Sequence, residues 1–136
     1  MIWLDPTRVT FDGDALEGVR SICLDRRAER FVVEHSDTGP HAVFADAVER
    51  RVTVRMVRRV GDEGGGTMRP GDKGVLSFRV GPSASEAGAR EVSMQVVIQS
   101  IVNRIDPKMG ATQTIEGLAI SSDGASDPVS DEPAQV

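Results

Sequence analysis

The longest run of strand-forming residues in the chain is REVSMQVVIQSIVNRI, residues 90–105. Its apolar and polar side chains alternate with a period of two, which is typical of a β-strand with one buried face. The buried face is expected to carry Val92, Met94, Val96, Ile98, Ser100 and Val102. The other face is expected to carry Glu91, Ser93, Gln95, Gln99 and Asn103. At about 3.3 Å per residue this strand would be longer than the wall of a small barrel usually needs, so it either bends at a bulge or projects toward another subunit.

Shorter segments with the same alternation predict further strands at residues 7–11, 19–25, 31–35, 51–60, 75–80 and 114–120. Asp12-Gly13 predicts a tight turn after the first of them. The charged stretch at residues 25–30 predicts a corner between two short strands.

One segment is ambiguous. Its apolar side chains recur at helical spacing, at Val43, Phe44, Ala47 and Val48. We therefore expect one or two helical turns behind Pro40.

Three segments lack any such pattern. Residues 61–74 contain six Gly and one Pro, which predicts a long loop. Residues 82–89 predict a second link, and residues 121–136 are acidic with no Lys or Arg. The pattern as a whole predicts an all-β chain, an antiparallel β-sandwich or barrel of about seven or eight strands with at most one short helix. Residues 1–120 would form this single domain, and residues 121–136 a flexible C-terminal arm.

Composition narrows the choice of function. The chain has 136 residues and a net charge of −5, which argues against tight nucleic-acid binding over the whole surface. A single cysteine, Cys23, excludes an internal disulfide and a cysteine-based metal cage. The sequence has neither a long apolar run nor an export signal at its start, so we expect a soluble protein that does not insert into membranes.

Candidate chemistry is weak throughout. The Gly-rich loop has Asp72 where a phosphate-binding loop needs lysine. His35, Asp37 and His41 lack a fourth metal ligand, and no nucleophile lies on a recognisable turn. The sequence therefore predicts no catalytic residue, no metal site and no cofactor, and hence a protein that is not an enzyme.

Arginines are concentrated at positions 50–59, without the aromatic residues that single-strand nucleic-acid binders use for stacking. Pairing with carboxylates across strands or between subunits is the preferred interpretation. The candidate subunit-contact arginines are Arg51, Arg55 and Arg58.

The order of several segments resembles tail tube proteins of tailed bacteriophages. These segments are FDG, EGVRSICLDR, HSDTGPHAVFADAVERRVTVRMVRRV, RPGDKGVLSFRV, the long strand and LAISSDGASDPVS. The likeness runs over residues 8–130, and its most specific parts are residues 40–46 with the following strand and residues 121–128.

The resemblance implies a subunit of the virion tail, assembled in the cytoplasm of a bacterial host. Hexameric rings of the chain would stack into a tube through which double-stranded DNA passes transiently. Tape-measure, terminator and baseplate proteins would be its other partners. By analogy, residues 121–136 would form an ordered arm, and the Gly-rich loop would reach the next ring. The candidate contacts of the loop are Asp62, Glu63, Gly65, Met68, Arg69 and Asp72. The alternatives are another ring-forming tail component, such as a tube terminator or baseplate hub, and a soluble β-barrel that binds a small ligand.

Overall fold

The computed structural model describes residues 2–60, 68–81, 89–108 and 110–133 of the chain. These residues form nine strands and no helix. The strands are β1 (Ile2–Leu4), β2 (Thr7–Phe11), β3 (Asp14–Ala15), β4 (Val19–His35), β5 (Ala42–Arg59), β6 (Lys73–Val80), β7 (Arg90–Asp106), β8 (Gly110–Ile120) and β9 (Val129–Pro133). The predicted all-β class is therefore confirmed.

All nine strands belong to one sheet, in the order β1-β4-β5-β8-β7-β6-β2-β3, and every pairing is antiparallel. β9 pairs with the first residues of β7, in line with β8, which pairs with the rest of β7. Over the described residues the strand order does not return to its first member, so the predicted closure into a sandwich or barrel is not seen.

The sheet nevertheless curls strongly around its core. Trp3 on β1 and Phe78 on β6 are five strand positions apart, which would be about 24 Å in a flat sheet. Their ring centroids are 5.2 Å apart in an edge-to-face arrangement. One face of the sheet is thereby folded inward, and it carries the apolar side chains that alternation predicted. The buried core consists of Val9, Val19, Ile22, Leu24, Val52, Val54, Met56, Leu76, Phe78, Val92, Met94, Val96, Ile98, Ile115 and Ala119.

The long strand bends at a bulge, one of the two outcomes expected from its length. Its register against β8 shifts between Ile98 and Ser100, so Gln99 is an extra residue. The even-numbered residues from 92 to 98 face the core as predicted. Beyond the bulge, the even-numbered residues lie on the outer face instead. Ser100 and Val102 lie opposite Glu116 and Thr114 on the outer face, so their predicted burial is wrong.

Two further expectations are corrected. The chain turns no corner at residues 25–30, because β4 runs without a break from Val19 to His35 and pairs along that length with β5. The segment expected to contain helical turns is also strand, since residues 42–51 pair with β4 rather than with their own backbone. Arg30, at a φ of 56°, is the one backbone irregularity in the middle of β4.

The predicted flexible arm is in part ordered. Val129–Pro133 forms β9 and pairs with β7. Arg90 on β7 donates from Nε to the Asp131 carboxylate at 2.6 Å and from a terminal nitrogen to the Asp131 carbonyl at 2.9 Å. Acidic residues with little apolar character thus join the sheet because β7 offers them an unpaired edge.

Gly18 gives a test of how β4 is anchored to β5. Both Gly18 and Gly110 have a φ of 76°, but a Cβ on Gly18 would lie 2.5 Å from the Arg59 carbonyl oxygen, while one on Gly110 would meet nothing within 4 Å. We expect Gly110→Ala to cost about 1 kcal/mol through the backbone alone. Gly18→Ala should cost about 1–3 kcal/mol more through overpacking, as measured by denaturant unfolding. Equal losses in the two variants would contradict the close approach.

Candidate assembly surface

A two-stranded ribbon projects from the sheet. It consists of residues 26–35 of β4, residues 42–51 of β5 and the tip at residues 36–41. β5 pairs with β8 only from Val52 onward, and β1 pairs with β4 only at residues 21–23. Ten residues of β5 therefore extend past the sheet, a reach of about 33 Å. A two-stranded ribbon is at best marginally stable alone in water, so the ribbon requires further support.

The ribbon concentrates the exposed apolar surface. Ten large hydrophobic side chains are exposed among the described residues, and six of them lie on the ribbon. These six are Phe31, Val32, Val33, Val43, Phe44 and Val48. Scattered apolar side chains are ordinary on a protein surface, but a contiguous group marks an interaction site.

The register divides the ribbon into two unlike faces. Phe31 lies opposite Ala47, and Val33 lies opposite Ala45. Since directly opposed residues share a face, these four make the distal part of this face apolar, while Glu29 opposite Glu49 continues it toward the base. On the other face Val32 lies opposite Asp46, and Glu34 lies opposite Phe44. We call these the apolar face and the mixed face of the ribbon.

The sheet also presents unpaired strand edges. β6 pairs with residues 90–97 of β7, and the backbone of Ile98 bonds to Gly71 and Asp72. Residues 99–106 of β7 have β8 as their only neighbour among the described residues. An edge of this length is a template for pairing with another chain unless it is covered.

A groove lies where the ribbon leaves the sheet, with the turn at residues 121–128 as its far wall. The groove has a volume of about 440 Å³, and the charged residues in its lining are Arg26, Arg27, Arg50, Arg51 and Asp127. Arg26 donates to the Asp127 carboxylate at 2.6 Å. The pKa of Asp127 is lowered first by the backbone N–H of Val129.

The wall of the groove is held by one carboxylate. Asp123 accepts hydrogen bonds from the Ser126 hydroxyl at 2.6 Å and from the backbone N–H groups of Ser126 and Ala125 at 2.8 and 2.9 Å. The Ser121 hydroxyl donates a fourth at 2.9 Å. These bonds hold the pKa of the Asp123 carboxyl well below its usual range.

This turn should open in acid. A carboxyl with a lowered pKa in the folded state stabilises its turn above the unfolded pKa of about 3.9 and loses that contribution as the pH falls toward the folded pKa. We expect the amide protons of Ala125 and Ser126 to lose protection, relative to intrinsic exchange rates, as the pH falls below about 4. The amide of Asp12, which bonds to the Val75 carbonyl, serves as the control because its acceptor does not titrate. Unchanged protection of Ala125 and Ser126 down to the folded pKa would contradict the role of Asp123.

The predicted inter-ring loop is only partly within the described residues. Asp62, Glu63 and Gly65 lie outside them. Met68 packs against the core, and the Arg69 backbone N–H donates to the Asp72 carboxylate at 2.9 Å. The backbone bonds of Gly71 and Asp72 to Ile98 thus anchor the loop's last residues beside the bulge of β7.

The three candidate arginines are placed differently from one another. Arg51 on the outer face lies 3.6 Å from both Glu29 and Glu49, and Arg55 lies 3.7 Å from Glu116.

Arg58 instead continues the inward row of Val52, Val54 and Met56, and only 8% of it is exposed. Its Nε donates to the Gln113 amide oxygen at 2.8 Å, and burial lowers its pKa. Gln113 in turn donates to Asn103 at 3.1 Å. The inward position of Arg58 could have been predicted from the sequence, because Arg58 continues the two-residue alternation of the inward side chains of β5.

The ribbon was missed by sequence reasoning, although it holds most of the exposed apolar surface. The signal was weak because both faces are wet, so its apolar residues follow no period of two.

No protein-family model matches the chain, and a search of curated proteins found no match. In the described part of the chain, no three His, Cys, Asp or Glu side chains converge as a metal site would require. The same residues include no helix long and apolar enough to cross a membrane. The prominent surface features of the described residues are the ribbon, the groove at its base and the unpaired strand edges.

Proposed function

We propose that this chain is a structural subunit of a bacteriophage tail tube, which assembles into hexameric rings that stack around a channel for DNA. The observation that carries the proposal is the ribbon, whose distal apolar face at Phe31, Val33, Ala45 and Ala47 lies beyond the strands that pair with β4 and β5 in the described part of the chain. A surface of this kind is expected to be buried against another molecule. The order of segments described above supports a second copy of the chain as that molecule.

The unpaired edges support the same proposal. A sheet with long unpaired strand edges is protected when copies join edge to edge in a closed ring. Stacking of rings then requires a different contact, between unlike surfaces, because a repeating stack is built from head-to-tail interfaces. A projecting ribbon and a separate strand edge supply one surface for each task.

The outer face of the sheet suits passage of DNA rather than its retention. Its arginines are interleaved with carboxylates, as in the pairs Arg55 with Glu116 and Arg27 with Asp25. Paired guanidinium groups attract phosphates less strongly than free ones, so this face would not hold DNA by charge. The proposed role is mechanical, without a catalytic residue or cofactor, and the tape-measure, terminator and baseplate proteins of the tail remain its proposed partners.

A ligand-binding barrel is not favoured by the interior. The gap among the core side chains of Phe11, Met56, Leu76 and Ile115 has a volume of about 10 Å³. That is about the space of one water molecule, whereas ligand pockets measure about 300–1,000 Å³.

Negative-stain microscopy of the purified full chain, with light scattering over a range of concentrations, tests the proposal. We expect rings with sixfold symmetry and a central hole, and rods of stacked rings at high concentration. Rings that never stack would indicate a terminator or hub component instead. A monomer at every concentration would refute assembly, and a rise in melting temperature with a small ligand would then indicate a binding barrel.

A further inference from the structure

The ribbon is electrically polarised along its length. Its distal part, residues 31–48, contains Glu34, Asp37 and Asp46 but no Lys or Arg. Its base carries a net positive charge, with five arginines and two glutamates: Arg26, Arg27, Arg30, Arg50, Arg51, Glu29 and Glu49. The acidic end and the basic end are therefore separated by the length of one ribbon.

The mixed face carries arginines at the base of the ribbon and carboxylates at its distal end. Following the register from the base outward, Arg26 lies opposite Val52 and Ala28 lies opposite Arg50. Farther out on the same face come Asp46, opposite Val32, and Glu34, opposite Phe44. A second ribbon laid along this face would thus meet arginine at one end and carboxylate with apolar neighbours at the other.

At the base, part of the positive charge is uncompensated. Arg26 is paired with Asp127, and Arg51 lies near Glu29 and Glu49. Arg50 and Arg30 have no ion pair with any described residue. Arg50 lines the groove, whose opposite wall is fixed by the Asp123 turn.

We propose that the groove at the base of the ribbon binds the acidic distal end of the ribbon of a second copy, so that copies associate head to tail. The inference rests on the proposed self-assembly and names the contact that orders it. Tip-to-tip docking would oppose Glu34 and Asp46 to the same carboxylates, and base-to-base docking would oppose arginines. Docking of the tip of one ribbon at the base of another brings opposite charges together, and in its head-to-tail form it is also the geometry that allows an open stack.

Paired charge reversals test this contact. The tip variant is Glu34→Lys with Asp46→Lys, and the base variant is Arg30→Glu with Arg50→Glu. Each variant alone has like charges at both ends, so we expect its self-association at low ionic strength to weaken about tenfold or more. An equimolar mixture should associate about as tightly as the native chain, because each tip then meets an opposite base. Sedimentation velocity measures both, and salt should weaken the native and mixed contacts alike.

A matched control changes the net charge of the chain without touching the ribbon. Asp14→Lys with Glu17→Lys alters the β2–β3 region by the same amount as the tip variant, and it should associate like the native chain. A mixture of tip and base variants that associates no better than either alone would overturn the proposal. Tip and base variants that each associate as tightly as the native chain would also overturn the proposal.

The results distinguish the proposed contact between ribbons from the proposed assembly of a tube. Native rods together with unaffected variants would refute the contact and leave the tube standing. Restored association in the mixture, without rings or rods from the native chain, would support the contact and refute the tube. If the base variant instead loses binding to a short DNA duplex while the mixture fails to associate, the groove is a phosphate site and the contact is wrong.

Discussion

Replacing Phe31 and Val33 with serine is expected to abolish assembly while the folded monomer survives. These residues are the two large side chains of the apolar face, and they are 61% and 48% exposed. Burying their remaining surface at a contact contributes roughly 2–3 kcal/mol in total. Losing it weakens each contact about 30- to 150-fold, and the loss is repeated at every subunit of a ring or stack. Microscopy and sedimentation of the double variant measure the effect.

Stability of the monomer separates loss of contact from loss of fold. Because Phe31 and Val33 cover little in their own chain, we expect the free energy of unfolding to change by less than about 1 kcal/mol. Val75→Ser is the control, since Val75 is 47% exposed but lies on β6, away from the ribbon. If the serine variant forms rods at concentrations where the native chain forms them, the ribbon is not part of the assembly surface.

Alternation predicted the curled part of the sheet well, because there one face is dry. Val52, Val54 and Met56 on β5 lie inward as their spacing indicates, and so do Val92 to Ile98 on β7. The bulge at Gln99 could not be located from spacing, because one extra residue leaves the pattern on either side intact and only exchanges its faces.

The ribbon could not be predicted for a different reason. Residues 25–30 are polar and residues 43–48 have helical spacing, so each suggested an end to a strand. Strand pairing is a backbone property, and β4 and β5 pair through both segments because each supplies the other's hydrogen bonds. Where neither face is buried, the sequence carries no alternating signal.

The C-terminal segment also depends on pairing with a neighbouring strand. Its composition predicted a flexible arm, because residues 121–136 have too few apolar side chains to form a core. The partner strand supplies what composition lacks, since β9 extends the line of β8 along β7 and Asp131 pairs with Arg90. Pairing with an unpaired edge, together with the Asp131–Arg90 ion pair and the packing of Val129 against the core, orders this tail.

The largest expected loss of stability follows from Phe78→Ala. Phe78 is fully buried, and its ring contacts that of Trp3, which brings β6 and β1 together across the curled sheet. Truncating a buried phenylalanine costs about 3–5 kcal/mol. Since domains of this size have stabilities of about 5–15 kcal/mol, we expect a chain that is marginally folded or unfolded at room temperature. Circular dichroism during denaturant unfolding measures the change.

Two further variants make this result interpretable. Phe44→Ala is the same substitution on the ribbon, at a side chain that is 50% exposed, and it should change monomer stability by no more than about 0.5 kcal/mol. Phe78→Leu keeps much of the buried volume and should cost about 1.5 kcal/mol or less. Trp3 is the only tryptophan, so its emission reports whether β1 stays against the core in that variant. Equal stability of Phe78→Ala and Phe44→Ala would show that the sheet does not curl through this contact, because only a buried ring at position 78 distinguishes the two sites.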